Sequence, residues 1–317
     1  MGRVISVFLF LCLIFSIFYF SRSDNSGVVL PVPKVFGAVS NAQDSNSWFP
    51  QTTTDVSAQK IQLGAKSAIL VDYDTKKVLY EKNPKERLPV ASVVKIMTAL
   101  IALEEKSLGD VFTVSEKAYR AGENSMDLSP GEKLTLDELL HGLILVSGND
   151  AAVTIAEGVA GSEDSFVDMM NSRAKGLGAL DTKFINASGL DVDYQTQFSS
   201  AYDMATIAHF LWENHPEFRK ISETYHFSLA ATAEHKEFDL YNDTNLLTTY
   251  PGVRGIKPGF TWEAGMCLVT YVEYDGHRLI GVVLGSGDRR GEMKELLDFG
   301  FATWGIRVPH PGLDLEG

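Results

Sequence analysis

The stretch VRGIKPGFTWEAGMCLVTYVEYDGHRLIGVVLG, residues 253–285, reads as three successive strands. Residues 253–260, 266–274 and 278–285 are apolar runs rich in β-branched side chains, and Asp275-Gly276 is a two-residue hairpin turn signal. Toward the N-terminus, 68–73 (AILVDY) and 78–81 (VLYE) add two short strands around an Asp74-Thr75-Lys76-Lys77 turn. Between these two groups the periodicity is helical. A helix starts near Ser92 (SVVKIMTALIALEE), and others follow at 136–146, 151–159, 165–177 and 201–214. A last helix, about 290–303, carries Met293, Leu296, Leu297 and Phe301 on its apolar stripe. Strands at both ends and helices in the middle imply an α/β (α+β) chain. One sheet is assembled from the two ends, and the central helices form a lobe beside it.

The chain has 317 residues, enough for one large domain or two modest ones. Asp plus Glu total 41 against 28 Lys plus Arg, a net charge of −13 with no offsetting basic run, so nucleic acid is not an expected partner. Two cysteines, Cys12 and Cys267, exclude a disulfide scaffold and a cysteine-rich metal site, and Cys267 reads as core. The seven histidines show no HExxH or HxH spacing, so no metal and no cofactor are expected.

The N-terminus reads as an address. Residues 4–20 (VISVFLFLCLIFSIFYF) are interrupted only by Ser6 and Ser16 and follow Arg3. As a helix they rise roughly 26 Å, the short end of a bilayer span. A retained anchor is favoured over a cleaved signal, because Ser21-Arg22-Ser23 is a weak processing site and Ser40-Asn41-Ala42 lies far beyond the run. Leu9-Phe10-Leu11 before Cys12 is too bulky for a lipobox. The expected organisation is a signal or anchor at 1–22, a flexible linker at 23–60, a folded domain at 61–309 and a tail at 310–317. The remainder of the chain is expected outside the cytoplasm.

Three short motifs carry possible chemistry. In Ser92-Val93-Val94-Lys95 the three-residue spacing puts Lys95 on the helix face of Ser92, where a neutral amine could take the hydroxyl proton. A helix N-terminus and a second cation nearby would both lower the lysine pKa. Ser147-Gly148-Asn149-Asp150 lies between two helical patterns and can offer a hydroxyl and a carboxamide to a cleft. Lys257-Pro258-Gly259 sits early in a strand. Each alone has a plain structural explanation: an N-cap with a solvated lysine, a helix-to-helix cap, a strand edge. Together, in this order and in these contexts, they match the S-x-x-K, S-x-N and K-T-G set of serine acyl-transfer enzymes.

The resemblance extends further. Residues 139–191 (LLHGLILVSGND…FINASGLD), 242–269 (NDTNLLTTYPGVRGIKPGFTWEAGMCLV) and 289–301 (RRGEMKELLDFGF) are similar to the low-molecular-mass penicillin-binding proteins, the serine D-alanyl-D-alanine carboxypeptidases of peptidase family S11. It covers about 63 to 305. The resemblance implies a β-lactamase/transpeptidase-like fold, with a five-stranded antiparallel sheet flanked by helices and an all-helical lobe. It also implies a penicillin-binding hydrolase whose substrates are peptidoglycan stem peptides ending in D-alanyl-D-alanine. On that reading Ser92 is the nucleophile, Lys95 the general base, Ser147 a proton relay, and Asn149 an orienting group. Lys257 holds Lys95 neutral and attracts the substrate carboxylate. Gly259, Phe260 (through its N–H), Thr261 and Arg289 line the substrate site.

The chain departs from the family at Pro258, where threonine is usual. If the Phe260 N–H faces the cleft, parity puts position 258 on the same edge, so proline removes no ladder bond but loses a hydroxyl. Acylation is therefore expected to survive with altered substrate affinity. A second departure is the ending about a dozen residues after the last helix, which leaves the N-terminal segment as the expected attachment. A DD-endopeptidase and a non-catalytic cell-wall or β-lactam-binding module are the alternatives. A β-lactamase is disfavoured by the lack of an E-x-x-L-N-type loop between Ser147 and Lys257.

Overall fold

The computed structural model describes residues 48–52, 61–192, 197–244 and 246–311. The expected anchor, most of the expected linker and residues 312–317 lie outside them. Among the described residues no helix is long and apolar enough to cross a membrane.

The chain begins with the hairpin β1 (Ser67–Asp72) and β2 (Val78–Lys82), then the two-residue β3 (Leu88–Pro89). A 3-10 turn, Ser92–Val94, runs straight into α1 (Lys95–Glu105). The helical lobe follows. It comprises β4 (Val111–Thr113), α2 (Glu116–Tyr119), β5 (Lys133–Thr135), α3 (Leu136–Leu145), α4 (Asn149–Ala160), α5 (Glu163–Gly176), β6 (Phe198–Ser199), α6 (Ala201–Asn214), α7 (Pro216–Glu223), β7 (His226–Leu229), β8 (Phe238–Tyr241) and α8 (Leu246–Thr249). The chain closes with β9 (Val253–Thr261), β10 (Gly265–Tyr274), β11 (His277–Ser286) and α9 (Arg289–Ala302).

The main sheet has the order β2-β1-β11-β10-β9, antiparallel throughout, so the two ends of the domain meet where β1 pairs with β11. Its period-two alternation feeds two cores. Ile69, Val71, Val269, Tyr271, Ile280 and Val282 face the helical lobe, packed with Met97, Leu100, Leu143 and Ile155. Leu70, Leu268 and Val283 face α9 and its Met293, Leu296, Leu297 and Phe301. Strand β9 has a single neighbour and leaves one edge open toward the lobe.

Helix ends follow their capping chemistry. Thr135 and Glu138 form a reciprocal capping box on α3, and Ser162, Ser200 and Asp288 cap α5, α6 and α9. Two expectations need adjusting. Asn149 and Asp150 belong to α4, with Gly148 as its cap, rather than to the loop before it. Helix α7 and the β7–β8 hairpin were not anticipated. PEFRKISE does gather Phe218, Ile221 and Ser222 on one buried face, but its eight residues are shorter than the window of roughly 11–18 over which a helical period is read.

Trp48–Thr52, expected within the linker, packs on the domain instead. Trp48 stacks on His209 of α6 with centroids 4.1 Å apart, and its Nε1 donates to the Tyr73 carbonyl at 2.9 Å. The Gln51 backbone donates to Lys76 O at 2.7 Å and accepts from Val78 N at 3.0 Å. Burial pushes the His209 imidazole down to about 4, so at neutral pH it stacks as an uncharged ring. Trp48→Ala is expected to cost on the order of 3 kcal/mol, the range for deleting a buried aromatic, read as a lower Tm of the full chain.

Candidate active site

The site forms where the N-terminus of α1 meets the open edge of β9. Ser92 is half-buried in the 3-10 turn, while Lys95, one turn on, is fully buried. The Lys95 Nζ has three neighbours: Ser92 Oγ at 2.9 Å, Asn149 Oδ1 at 2.7 Å and the Ser188 carbonyl at 2.5 Å. Two of these are carbonyl oxygens that can only accept. A neutral amine has two N–H bonds and one lone pair. As the ammonium, Nζ donates to all three oxygens; in the neutral form, satisfying both carbonyls leaves the lone pair for the Ser92 hydroxyl. Burial holds the Lys95 pKa well below the ordinary lysine value, helped by the neighbouring Lys257 cation and opposed by Asp243, Asp150 and Glu123.

Asn149 is held at both ends. Its Nδ2 donates to Gly122 O at 3.0 Å and its backbone N–H to Asn124 O at 2.8 Å. Next to it the buried Asp150 carboxylate accepts from Ser125 Oγ and from the N–H groups of Met126 and Leu128, which ties the 122–128 loop to the start of α4. Ser147 is buried in the left-handed region (φ 61°), and its hydroxyl makes no hydrogen bond among the described residues. A non-glycine residue there is uncommon and is held by the tight passage from α3 into α4.

On β9, Lys257 is fully buried and pairs with Asp243 at 3.5 Å, an ion pair at the long end of hydrogen-bonding range. Burial pushes its ammonium pKa down and Asp243 opposes the shift. The register with β10 is continuous through Lys257↔Val269, Pro258↔Leu268, Gly259↔Cys267 and Phe260↔Met266, so proline does not interrupt the ladder of this edge strand. A Cβ on Gly259 would lie 2.9 Å from Ser92 N and 3.1 Å from Val93 N, which measures how closely the strand approaches the serine backbone. Arg289, the first residue of α9, donates from Nη1 to the Gly259 carbonyl at 2.8 Å. In a trans peptide the following N–H points the opposite way, so the Phe260 N–H is directed to the open edge. Thr261 lies on the face of Lys257 and Gly259, not that of Pro258. Its hydroxyl donates to Asp191 Oδ1 and accepts from Ala264 N, both at 3.1 Å, so it does not stand in for the missing threonine. The structure thus brings Ser92 and Asn149 each into contact with Lys95 and sets Gly259 against Ser92, with Arg289 on Gly259. Among the described residues no group of three or more His, Cys, Asp or Glu is placed to hold a metal.

With three motifs converging on one cleft, comparison with known proteins is decisive. Residues 52–288 match the family described as Peptidase S11, D-alanyl-D-alanine carboxypeptidase. The chain belongs to this family. It is 41% identical over 248 residues to the D-alanyl-D-alanine carboxypeptidase DacF of Bacillus subtilis, covering 76% of this chain and 63% of that protein. It is 36% identical over 260 residues to DacA of Escherichia coli, covering 78% and 62%. The chain therefore spans less than two thirds of the length of these relatives. The crystal structure of the Streptomyces K15 DD-transpeptidase is similar with a TM-score of 0.72 and 28% identity, covering 77% of this chain and 99% of that one. The fold is accordingly the β-lactamase/transpeptidase-like fold expected from the sequence.

Within this S11 fold, sequence reasoning missed three contributors. The Ser188 carbonyl is invisible to residue-type motifs, since any residue has one. Gly189 (φ +88°) carried a signal: its Cβ would meet Ala91 O at 2.4 Å. Asp243 lies within the 242–269 stretch with no motif of its own, and only the tertiary fold sets it against Lys257.

Proposed function

We propose that this chain is a penicillin-binding serine D-alanyl-D-alanine carboxypeptidase acting on peptidoglycan stem peptides outside the cytoplasm, attached through residues 4–20. The observation that carries the proposal is the 2.9 Å contact of the fully buried Lys95 Nζ with Ser92 Oγ. Ser92 Oγ bonds to the carbonyl carbon between the two terminal D-alanines as its proton passes to Lys95 Nζ. The N–H groups of Ser92 and Phe260 stabilise the negative oxygen that develops, each worth about 3 kcal/mol in comparable sites. The C–N bond then breaks, and Ser147 relays a proton to the leaving amine. Water hydrolyses the ester and regenerates Ser92. Lys257 and Arg289 supply positive charge for the terminal carboxylate, in place of the hydroxyl absent at Pro258.

A base that works as the neutral amine gives a rate that falls as pH drops through its pKa. Because burial depresses the Lys95 pKa, the acid limb of acylation is expected well below the ordinary lysine range. An acid limb near the ordinary lysine pKa of about 10.4 would contradict the assignment. The full chain should bind a fluorescent penicillin covalently and release D-alanine from diacetyl-lysyl-D-Ala-D-Ala, and Ser92→Ala should lose both. Label without release would favour a cross-link substrate or a binding role. A folded chain with neither would end the catalytic reading.

A further inference from the structure

The Ser92–Lys95 pair is braced by a turn, residues 186–190, that lies outside the three motifs. We propose that Asn186 is a positioning residue for this pair, clamping the turn so that the Ser188 carbonyl stays on the Lys95 amine, a role that rests on the acyl-enzyme function proposed above. Asn186 Nδ2 donates to Leu190 O at 2.8 Å, and its Oδ1 accepts from Gly189 N at 2.7 Å. The same Oδ1 lies 3.4 Å from Ser188 Oγ and from Gln197 Nε2. Gln197 Nε2 also donates to Leu190 O at 3.2 Å. From the other side Thr98, one turn beyond Lys95 on α1, donates its hydroxyl to Ala187 O at 2.6 Å. The turn therefore touches both ends of the pair: Ser188 O meets Lys95 Nζ, and Gly189 packs against the Ala91 carbonyl and Ser92 N. Asn186 is 7% exposed, Gln197 4% and Ser188 3%, so these side chains are walled off from a substrate in the cleft.

The clamp matters because of the arithmetic of the amine. With both carbonyl acceptors in place the lone pair has one direction left, toward Ser92. If the Ser188 carbonyl swings away, one N–H is freed, the amine rotates, and water reaches Nζ. Water reverses the desolvation that lowers the Lys95 pKa. The charged groups around Lys95 are Lys257 from β9, Asp243 from the segment before α8, Asp150 from α4 and Glu123 from the 122–128 loop. None of them is altered by a change at Asn186.

The test is the rate of acylation by a fluorescent penicillin across about pH 5 to 10 for the full chain, Asn186→Ala and Thr98→Val. Asn186→Ala is expected to acylate about tenfold more slowly at neutral pH, with its acid limb moved up by about one pH unit, so that alkaline conditions restore most of the rate. Thr98→Val removes one bond to the same turn and should move the limb the same way by less. A folded Asn186→Ala with the native rate and limb, or a loss equal at every pH, would overturn the proposal. If that variant does not fold, an unshifted limb in Thr98→Val does so. An unlabelled native chain would sink the acyl-enzyme function and this role with it, whereas a labelled native chain with unshifted variants would sink the role alone.

Discussion

Replacing Lys95 with methionine is expected to slow penicillin acylation by about 10² to 10⁴-fold, the range for removing a general base, while the protein remains folded. Methionine fills the buried stem but supplies no lone pair. Two effects on stability oppose each other. Asn149 Oδ1 and Ser188 O lose their donor, at about 1–3 kcal/mol each. Against that, an amine is no longer held fully buried beside Lys257, an arrangement that burial and like charge both disfavour. The net change in Tm should therefore be small compared with the change in rate. Stopped-flow acylation, with circular dichroism as the check on folding, separates the two. A variant that acylates within about tenfold of the native rate would show that some other group takes the Ser92 proton.

The second large effect is expected at Gly259. In Gly259→Ala the new methyl would lie 2.9 Å from Ser92 N and 3.1 Å from both Ala91 Cβ and Val93 N. Two of these are backbone atoms of the 3-10 turn that leads into α1, which have no rotamer by which to yield. Strand β9 has to move away from the serine and takes the Phe260 N–H with it. The expected loss in acylation is about 10² to 10³-fold, the cost of misplacing one oxyanion donor. Gly287→Ala is the matched control, because nothing lies within 4 Å of its added methyl. It should leave the rate within about twofold. Equal behaviour of the two variants would mean that the close approach of β9 to Ser92 is not needed for acylation.

Much of this was legible in the residues, for identifiable reasons. The sheet could be read because 266–274 and 278–285 are long β-branched runs around Asp275-Gly276, so hairpin geometry and register follow locally. Ser92 and Lys95 could be paired because three residues along a helix is a contact distance. Lys257 and Gly259 could be located only through the resemblance, since a lysine early in a strand has no helical spacing to tie it to Ser92. What could not be read depends on backbone atoms or on distant chain. The Ser188 carbonyl, the Asp243 partner of Lys257 and the docking of Trp48 arise from contacts across 93, 14 and 161 residues. Trp48 is instructive, because a Ser-, Asn- and Asp-rich segment reads as tether by composition. Yet the dense apolar and aromatic set Trp48-Phe49-Pro50 within it buries on the domain, with the Phe49 ring 2.8 Å from where a Cβ on Gly178 would sit.

The claim on which the rest depends is that Ser92 becomes the acyl-enzyme. Peptide mapping by mass spectrometry after exposing the full chain to benzylpenicillin tests it most directly. The expected result is one adduct carrying the whole mass of the antibiotic, on the peptide that contains Ser92 and Lys95. No adduct on folded protein, or an adduct on the peptide bearing Ser147 instead, would contradict it.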